Sequence, residues 1–291
     1  MALVDMSETY QMTNVGAHID GTDVYQSNPN LLDNWYFVGG GSQLGDGVFP
    51  INQRGQSSYT GGGTQLDRWK TWEANDVITL TANGVKFKSP NGNGMFQYWS
   101  EFPTIKTVTF SAIIDGNIYS VTLPEGDTQC EYIGTGFKIG IYRNGKCVYI
   151  NSQNTEILIA ACKLEVGTVS TLANDAPPDF GEELRKCQRY LFIRDYVSTD
   201  LIGSGLAVSN TFGLINVYLP VAMRSGGSPT GTFTANPLVY GGGTGEQSSF
   251  SLNTVKGNVA KFVASMTSGI ANNAIVAYAG TNIRLTISNE L

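Results

Sequence analysis

Apolar and polar positions alternate with a period of two along most of this chain, the signature of half-buried strands. Val108, Phe110, Ala112 and Ile114 alternate with Thr and Ser, and Asp115-Gly116 then turns the chain into Ile118–Leu123. Val77–Ala82 and Val85–Phe87 flank Asn83-Gly84, a dipeptide that tolerates positive φ and so favours a tight hairpin. Phe137, Ile139 and Ile141 alternate ahead of Asn144-Gly145, with Val148 and Ile150 beyond it. Ile157–Leu164 is almost continuously apolar, as suits a strand covered on both faces. Strands at this spacing, separated by turn dipeptides, predict an antiparallel sandwich of the jelly-roll kind from Leu31 to about Glu165.

Beyond Phe192 the period persists but the composition shifts toward Gly, Ser, Thr, Asn and Ala. Ile215/Val217/Leu219, Phe233, Leu238–Tyr240, Phe250–Leu252, Val259–Ala264, Ile275–Ala279 and Ile283–Ile287 are strand candidates. Gly226-Gly227, Gly241–Gly243 and Gly269 read as loops between them. Large apolar residues are sparse for a domain of this size, so association with further copies would supply missing burial.

Between the two halves the pattern predicts a single helix. Pro177 and Pro178 stop any helix arriving from upstream. Asp179 is an N-cap candidate with Glu182 completing a capping-box-like pair. Glu182 and Glu183 suit the positive end of the helix dipole, and Arg185, Lys186 and Arg189 the negative end. Phe180, Leu184, Cys187 and Leu191 form one apolar stripe. A helix this short needs a packing partner, which is either its own sandwich or a seam shared with sister chains. Residues 1–29 have no sustained apolar period and read as an arm. The fold class expected is therefore all-β: an N-terminal arm (1–29), a jelly-roll sandwich (30–178), a connecting helix (179–191) and a C-terminal β-sandwich-like tip domain (192–291).

Composition narrows the chemistry. Charged residues make up 14% of the chain, against about 25% in ordinary soluble domains. Glycine, at 35 of 291 residues, is well above its usual share of about 7%. Such a surface is rich in hydroxyls and amides, as in extracellular β-proteins. A net charge of −6 argues against a nucleic-acid partner and against anionic membranes. No stretch approaches a transmembrane helix, and the N-terminus lacks the basic and apolar regions of a signal peptide, so synthesis in a cytoplasm is expected. Cys130, Cys147, Cys162 and Cys187 show no CxxC or Cys/His clustering, and His18 is the sole histidine. Free thiols are expected, with a Cys130–Cys147 disulfide as the alternative, and no metal site. Asp20-Gly21-Thr22-Asp23 lacks the downstream glutamate of a calcium loop and reads as a turn. No nucleophile–histidine–acid set, phosphate loop or dinucleotide fingerprint occurs, so neither a catalytic residue nor a cofactor is expected.

Carbohydrate binding asks for less: aromatic faces for sugar CH groups, and amides, hydroxyls and carboxylates for sugar hydroxyls. The first half offers Trp69, Trp72, Tyr98, Trp99, Tyr132, Tyr142 and Tyr149. Trp69 reads as core. Tyr98 and Trp99 are neighbours on a strand, so one of them faces outward. With Trp72 they are the candidates of the sandwich, and Tyr240 and Tyr278, each beside glycines, are those of the tip. Glycan hydrolysis would instead need two carboxylates drawn from Asp67, Glu73, Asp76, Glu101, Asp115, Glu125, Asp127 and Glu131.

Several short motifs occur in a recognisable order: Asn30-Leu31-Leu32-Asp33-Asn34, Ile51-Asn52-Gln53-Arg54-Gly55 and Asp67-Arg68-Trp69. Lys163-Leu164-Glu165-x-Gly167, Gly181-Glu182-Glu183-Leu184 and Cys187-Gln188-Arg189-Tyr190 follow, then Met223-Arg224, Pro229-Thr230 and a terminal Ile287-Ser288-x-Glu290-Leu291. This order resembles a family of phage and prophage tail-fibre (receptor-binding) proteins over residues 30–291. The Gly-rich Gly39–Gly47 stretch departs from it, and residues 1–29 have no counterpart. The resemblance implies a homotrimer in the virion tail, released on host lysis, whose distal tip is the C-terminal domain. It implies an N-terminal arm attached to other virion tail or baseplate proteins, and adhesion to bacterial surface glycan. The helix stripe Phe180, Leu184, Cys187 and Leu191 is the candidate trimer seam. The rival expectations are a purely structural virion component and a glycan depolymerase.

Overall fold

A computed structural model of the chain describes residues 15–19, 22–25, 28–40, 47–98, 106–209, 211–224, 227–241, 244–247, 249–265 and 274–290. Trp99 and Glu101 lie outside the described residues, as do Asp20, Gly21, Gly226, Gly242, Gly243 and Gly269. The fold is all-β: antiparallel sheets carry nearly all the regular structure, with one α-helix and one 3-10 turn among the described residues. The chain divides into two units, Met1–Glu183 and Leu184–Leu291.

The first unit opens with β1 (Val15–Ile19) and β2 (Thr22–Tyr25), which pair antiparallel. The region expected to be a featureless arm thus holds a two-stranded ladder. Inter-strand hydrogen bonds made it, not an apolar period, so the sequence pattern did not announce it.

Then follow β3 (Ser58–Thr60), β4 (Gly63–Leu66), β5 (Trp69–Thr71), β6 (Val77–Thr81), β7 (Gly84–Lys88) and β8 (Gly94–Tyr98). β9 (Val108–Ile114), β10 (Asn117–Leu123), β11 (Gln129–Gly134), β12 (Phe137–Tyr142), β13 (Cys147–Ser152) and β14 (Ile157–Val166) complete it. A first sheet has the order β10-β9-β14-β7-β6-β3, and a second the order β11-β12-β13-β8-β5-β4. The chain passes between the sheets repeatedly, as a jelly roll does and stacked hairpins do not. Trp69, Phe37, Phe87, Phe110, Ile139 and Ile150 fill the space between them. β14 explains its own apolar run: it lies inside the first sheet, bonded to β9 on one side and to β7 on the other at Ile157–Ile159. Where β7 ends, the segment entering the unit takes over, with Leu31, Phe37 and Trp35 bonding to Leu164, Ala160 and Cys162.

Lys163 and Glu165 of the Lys-Leu-Glu motif are fully buried on the far face of that sheet. Lys163 Nζ reaches Thr171 Oγ1 at 2.9 Å and Asp175 at 2.8 Å, while the Glu165 carboxylate accepts from the Thr171 backbone N–H (2.8 Å) and hydroxyl (2.6 Å). The pair clamps the segment after β14 onto the sheet.

Helix α1 spans Phe180–Gln188. Asp179 Oδ1 accepts the Glu182 N–H at 2.8 Å, the expected N-cap. Bonds from Arg189 N to Lys186 O and from Tyr190 N to Cys187 O tighten its end. The helix therefore stops before Leu191, which was expected on its stripe. Leu191 instead opens a strand, because pairing with Ser288 begins a ladder that another helical turn would forfeit. Cys187 and Leu191 are already buried within the single chain, and Phe180 stacks edge-on against Phe49 at 5.5 Å. Of the candidate seam, Phe180 and Leu184 remain half-open.

In the second unit, β15 (Leu191–Tyr196), β16 (Leu201–Ser209), β17 (Phe212–Tyr218), β18 (Thr230–Phe233) and β19 (Leu238–Gly241) come first. β20 (Thr244–Gln247), β21 (Ser249–Lys256), β22 (Val259–Ser265), β23 (Ala274–Tyr278) and β24 (Ile283–Ser288) follow. They form a three-stranded sheet, β15-β24-β18, and a seven-stranded sheet, β20-β19-β23-β16-β17-β22-β21. Phe192, Tyr196 and Leu285 from one and Ile215, Phe262 and Ile275 from the other share a contiguous core. This unit has a core of its own despite its sparse large residues.

Candidate functional site

Three of the motifs, Asn30–Asn34, Ile51–Gly55 and Asp67–Trp69, together with Glu183, meet at a buried polar node in the first unit. Asn34, fully buried at φ 51°, donates from Nδ2 to the carbonyls of Ile51 and Asp67 (both 2.9 Å) and accepts the Ile51 N–H at 2.7 Å. Its own N–H is accepted by Glu183 Oε2 at 2.8 Å, and its carbonyl accepts from Trp69 Nε1 at 2.9 Å. Gln53 Nε2 and Arg54 Nη1 bond the buried Asp67 carboxylate at 2.8 and 3.3 Å, and Arg68 pairs with Asp33 at 3.0 Å. These residues hold loops to sheets. With Asp67 committed in this way, the motif residues of this node are scaffold.

The candidate surface site lies on the outer face of the second sheet. The side-chain alternation of β12, β13 and β8 turns Ile139, Ile141, Val148, Ile150 and Met95 inward. The same alternation turns Tyr142, Cys147, Tyr149, Asn151, Phe96 and Tyr98 outward. A cleft of about 310 Å³ crosses this face, lined by Trp72, Asn93, Gly94, Phe96, Gln129, Tyr142, Cys147, Tyr149 and Asn151. It runs from β11 and β12 across β13 and β8 to the loop after β5, and from β11 to β8 alone it spans about 14 Å at the usual strand spacing.

Local geometry fixes each wall. Asp76 Oδ2 accepts the N–H groups of Trp72 (3.0 Å) and Glu73 (2.9 Å), so a fully buried carboxylate holds the turn that presents Trp72. Trp72 is 60% exposed, with its ring centroid 4.7 Å from that of Phe96, which in turn lies 5.0 Å from Tyr98. Asn93 Nδ2 bonds Glu73 at 2.8 Å beside it. At the other end, Tyr142 is 42% exposed and its ring lies over Gly145, where a Cβ would sit 2.4 Å from the ring. The turn expected at Asn144-Gly145 is present: Tyr142 pairs with Cys147 across four loop residues, and the positive φ falls on Lys146. Glycine at position 145 leaves room for the ring.

Between the walls, Tyr149 lies flat across Gly140 of β12, where a Cβ would stand 2.3 Å from the ring. Its hydroxyl donates to Glu131 on β11. Burial first, and then the Glu131 carboxylate, push the Tyr149 phenol well up, so it stays a donor. Burial raises the Cys147 thiol to about 11, keeping it neutral in the floor. Asn151 Oδ1 is buried there without a hydrogen-bond partner among the described residues. An unsatisfied amide oxygen in a cleft of rings is a ready acceptor for a ligand hydroxyl.

Of the sequence candidates, Trp72 lines this cleft and Tyr98 flanks it, half-buried, with Lys70 Nζ 5.9 Å from its ring centre. Trp69 is core, as expected. Tyr240 and Tyr278 meet in the second unit, ring centroids 5.7 Å apart. Tyr142 and Tyr149 were among the aromatics the sequence offered but not among the candidates drawn from them, and Phe96 was not named; the pairing of β12, β13 and β8 brings the three together. All four cysteines are free thiols. Among the described residues no group of three or more His, Cys, Asp or Glu is arranged to hold a metal, and no helix is long and apolar enough to cross a membrane. No protein-family model matches the chain, and no curated protein matches it.

Proposed function

We propose that this chain is a receptor-binding subunit of a phage or prophage tail fibre, and that it adheres to bacterial surface glycan through the outer face of the second sheet. The observation that carries the reading is the cleft: exposed Trp72 and Tyr142 at its ends, Phe96 and Tyr149 between, and the amides of Asn93, Gln129 and Asn151 among them. Aromatic faces take sugar CH groups while amides bond sugar hydroxyls. A cleft that crosses four strands suits a run of linked sugars better than one ring. The carboxylates beside the cleft, Glu73 on Asn93 and Glu131 on Tyr149, are engaged by those side chains rather than part of the described lining, whereas glycoside hydrolysis uses a carboxylate pair flanking the bond, so binding is favoured over depolymerisation. The tail-fibre setting rests on the ordered motifs, and in a trimer weak sites would gain strength through effective concentration.

The test is adhesion of the full chain to glycan arrays and to whole bacteria, compared with Trp72→Ala. Trp72 is mostly exposed, so its loss should leave folding intact while cutting affinity about tenfold, the worth of one aromatic face. Retention of full binding by the variant, or no binding by the parent chain, would overturn the reading.

A further inference from the structure

The second unit holds a separate cavity of about 310 Å³, lined by Ser198, Thr199, Leu238, Tyr240, Tyr278, Ala279 and Gly280. The Tyr240 and Tyr278 rings stand at 85° to one another and form a corner. Leu238 and Ala279 supply an apolar floor, and the exposed Ser198 and Thr199 supply hydroxyls at the mouth. Among the described residues no charged side chain lines it.

Thr199 is the unusual residue. It sits at φ 80°, where a β-branched side chain is strained. The surroundings impose this. Thr199 N bonds Ala279 O at 2.7 Å, Ala279 N bonds Asp200 O at 2.9 Å, and Asp200 both donates to Val197 O and accepts the Val197 N–H. Glycine or asparagine would occupy this conformation at less cost, so threonine here points to a use for its side chain at the cavity mouth.

We infer that this cavity is a second carbohydrate site, selective for a neutral sugar that carries a methyl group, either a 6-deoxyhexose or an N-acetylated sugar. The methyl group would enter between Leu238, Ala279 and the tyrosine corner, and the ring hydroxyls would meet Ser198 and Thr199. The discrimination is physical. Against a 6-deoxyhexose, the parent hexose would bury its hydroxymethyl oxygen on the floor without a partner, and an unpaired buried hydroxyl is disfavoured; against an N-acetylated sugar, the parent hexose has no methyl group to cover the apolar floor. An anionic sugar would find no countercharge.

The test uses the full chain and saturation-transfer NMR. The probes are methyl L-fucoside and methyl N-acetylglucosaminide, against methyl L-galactoside and methyl glucoside, which have the hydroxyl or lack the acetyl group. Transfer should be strongest at the C6 methyl or at the acetyl methyl, and which of the two responds identifies the source of the group. Tyr240→Ala, at a residue 40% exposed, should weaken binding about tenfold, whereas Tyr218→Ala, at an exposed tyrosine of the same unit outside this lining, should leave it unchanged. Thr199→Gly should raise the melting temperature yet weaken binding about fivefold, as loss of one hydrogen bond does. Equal transfer to the parent hexosides, none to either methyl sugar, undiminished binding by Tyr240→Ala or an equal loss in Tyr218→Ala would each overturn the inference. Because the cleft in the first unit shares none of these residues, failure of one site leaves the other standing.

Discussion

Replacing Asn34 by Ala tests whether the motif residues are scaffold. The side chain makes three buried hydrogen bonds, two donated to Ile51 O and Asp67 O and one accepted from Ile51 N. Alanine would strand all three backbone groups where water does not reach, at about 1 kcal/mol or more apiece. It would also leave a Cβ residue at φ 51° without the local polar contacts that make asparagine tolerable there, for about 1 kcal/mol. The expected total is about 3–5 kcal/mol, a large fraction of the roughly 5–15 kcal/mol that holds a domain folded. Asn34→Gly separates the two effects: it loses the same bonds but relieves the φ, so it should be about 1 kcal/mol less damaging than Ala although it is smaller. Urea unfolding followed by tryptophan emission is the assay. Trp35, Trp69, Trp72 and Trp99 all belong to the first unit, so the signal reports that unit alone. An Asn34→Ala midpoint equivalent to less than about 0.5 kcal/mol, the range of an ordinary surface change, would refute the reasoning.

Three further outcomes follow from the same geometry. Gly140→Ala places a Cβ 2.3 Å from the Tyr149 ring, so the ring must leave Glu131 and the cleft floor; polysaccharide affinity should drop at least tenfold with only about 1–2 kcal/mol of stability lost, and unchanged titration calorimetry would count against the floor as drawn. Lys163→Ala removes the cation that Glu165 and Asp175 share, with Lys163 and Glu165 fully buried, and should cost about 3–5 kcal/mol in urea unfolding, whereas Lys163→Met with Glu165→Leu should recover most of it. Cys130 and Cys147 are raised to about 11 by burial, so the stability from keeping them neutral is complete below their unfolded value near pH 8.5 and falls as pH climbs toward 11; the urea midpoint should drop from pH 7 to pH 10, and by less in Cys147→Ala.

The parts of the fold that were legible in the sequence are those whose own side chains carry the signal, as alternation or as a continuous apolar run. β9 and β10 were marked by strict alternation and by the Asp115-Gly116 turn, where both residues take positive φ. β14 was marked by its continuous apolar run. Strands whose partners rather than side chains define them were not legible. β11 is an edge strand with mostly exposed residues, and β16 is interrupted by Gly203 and Gly205. The helix was placed correctly at Asp179 because capping is local, but its far end depended on a ladder between Leu191 and Ser288, distant in sequence. The candidate site divides the same way. Trp72 could be nominated alone, but Tyr142, Tyr149 and Asn151 become a site only through the register of β12 and β13, and the buried, unpartnered oxygen of Asn151 has no sequence signal.

The cleft can be located without mutation by amide chemical-shift mapping of the full chain titrated with a fragment of host surface polysaccharide. Perturbations are expected to cluster at Asn93, Gly94, Phe96, Gln129, Tyr149 and Asn151, with the opposite sheet around Lys163 and Ser111 silent. Saturable binding that leaves those six amides unmoved would contradict the assignment of the outer face of the second sheet as the adhesive surface.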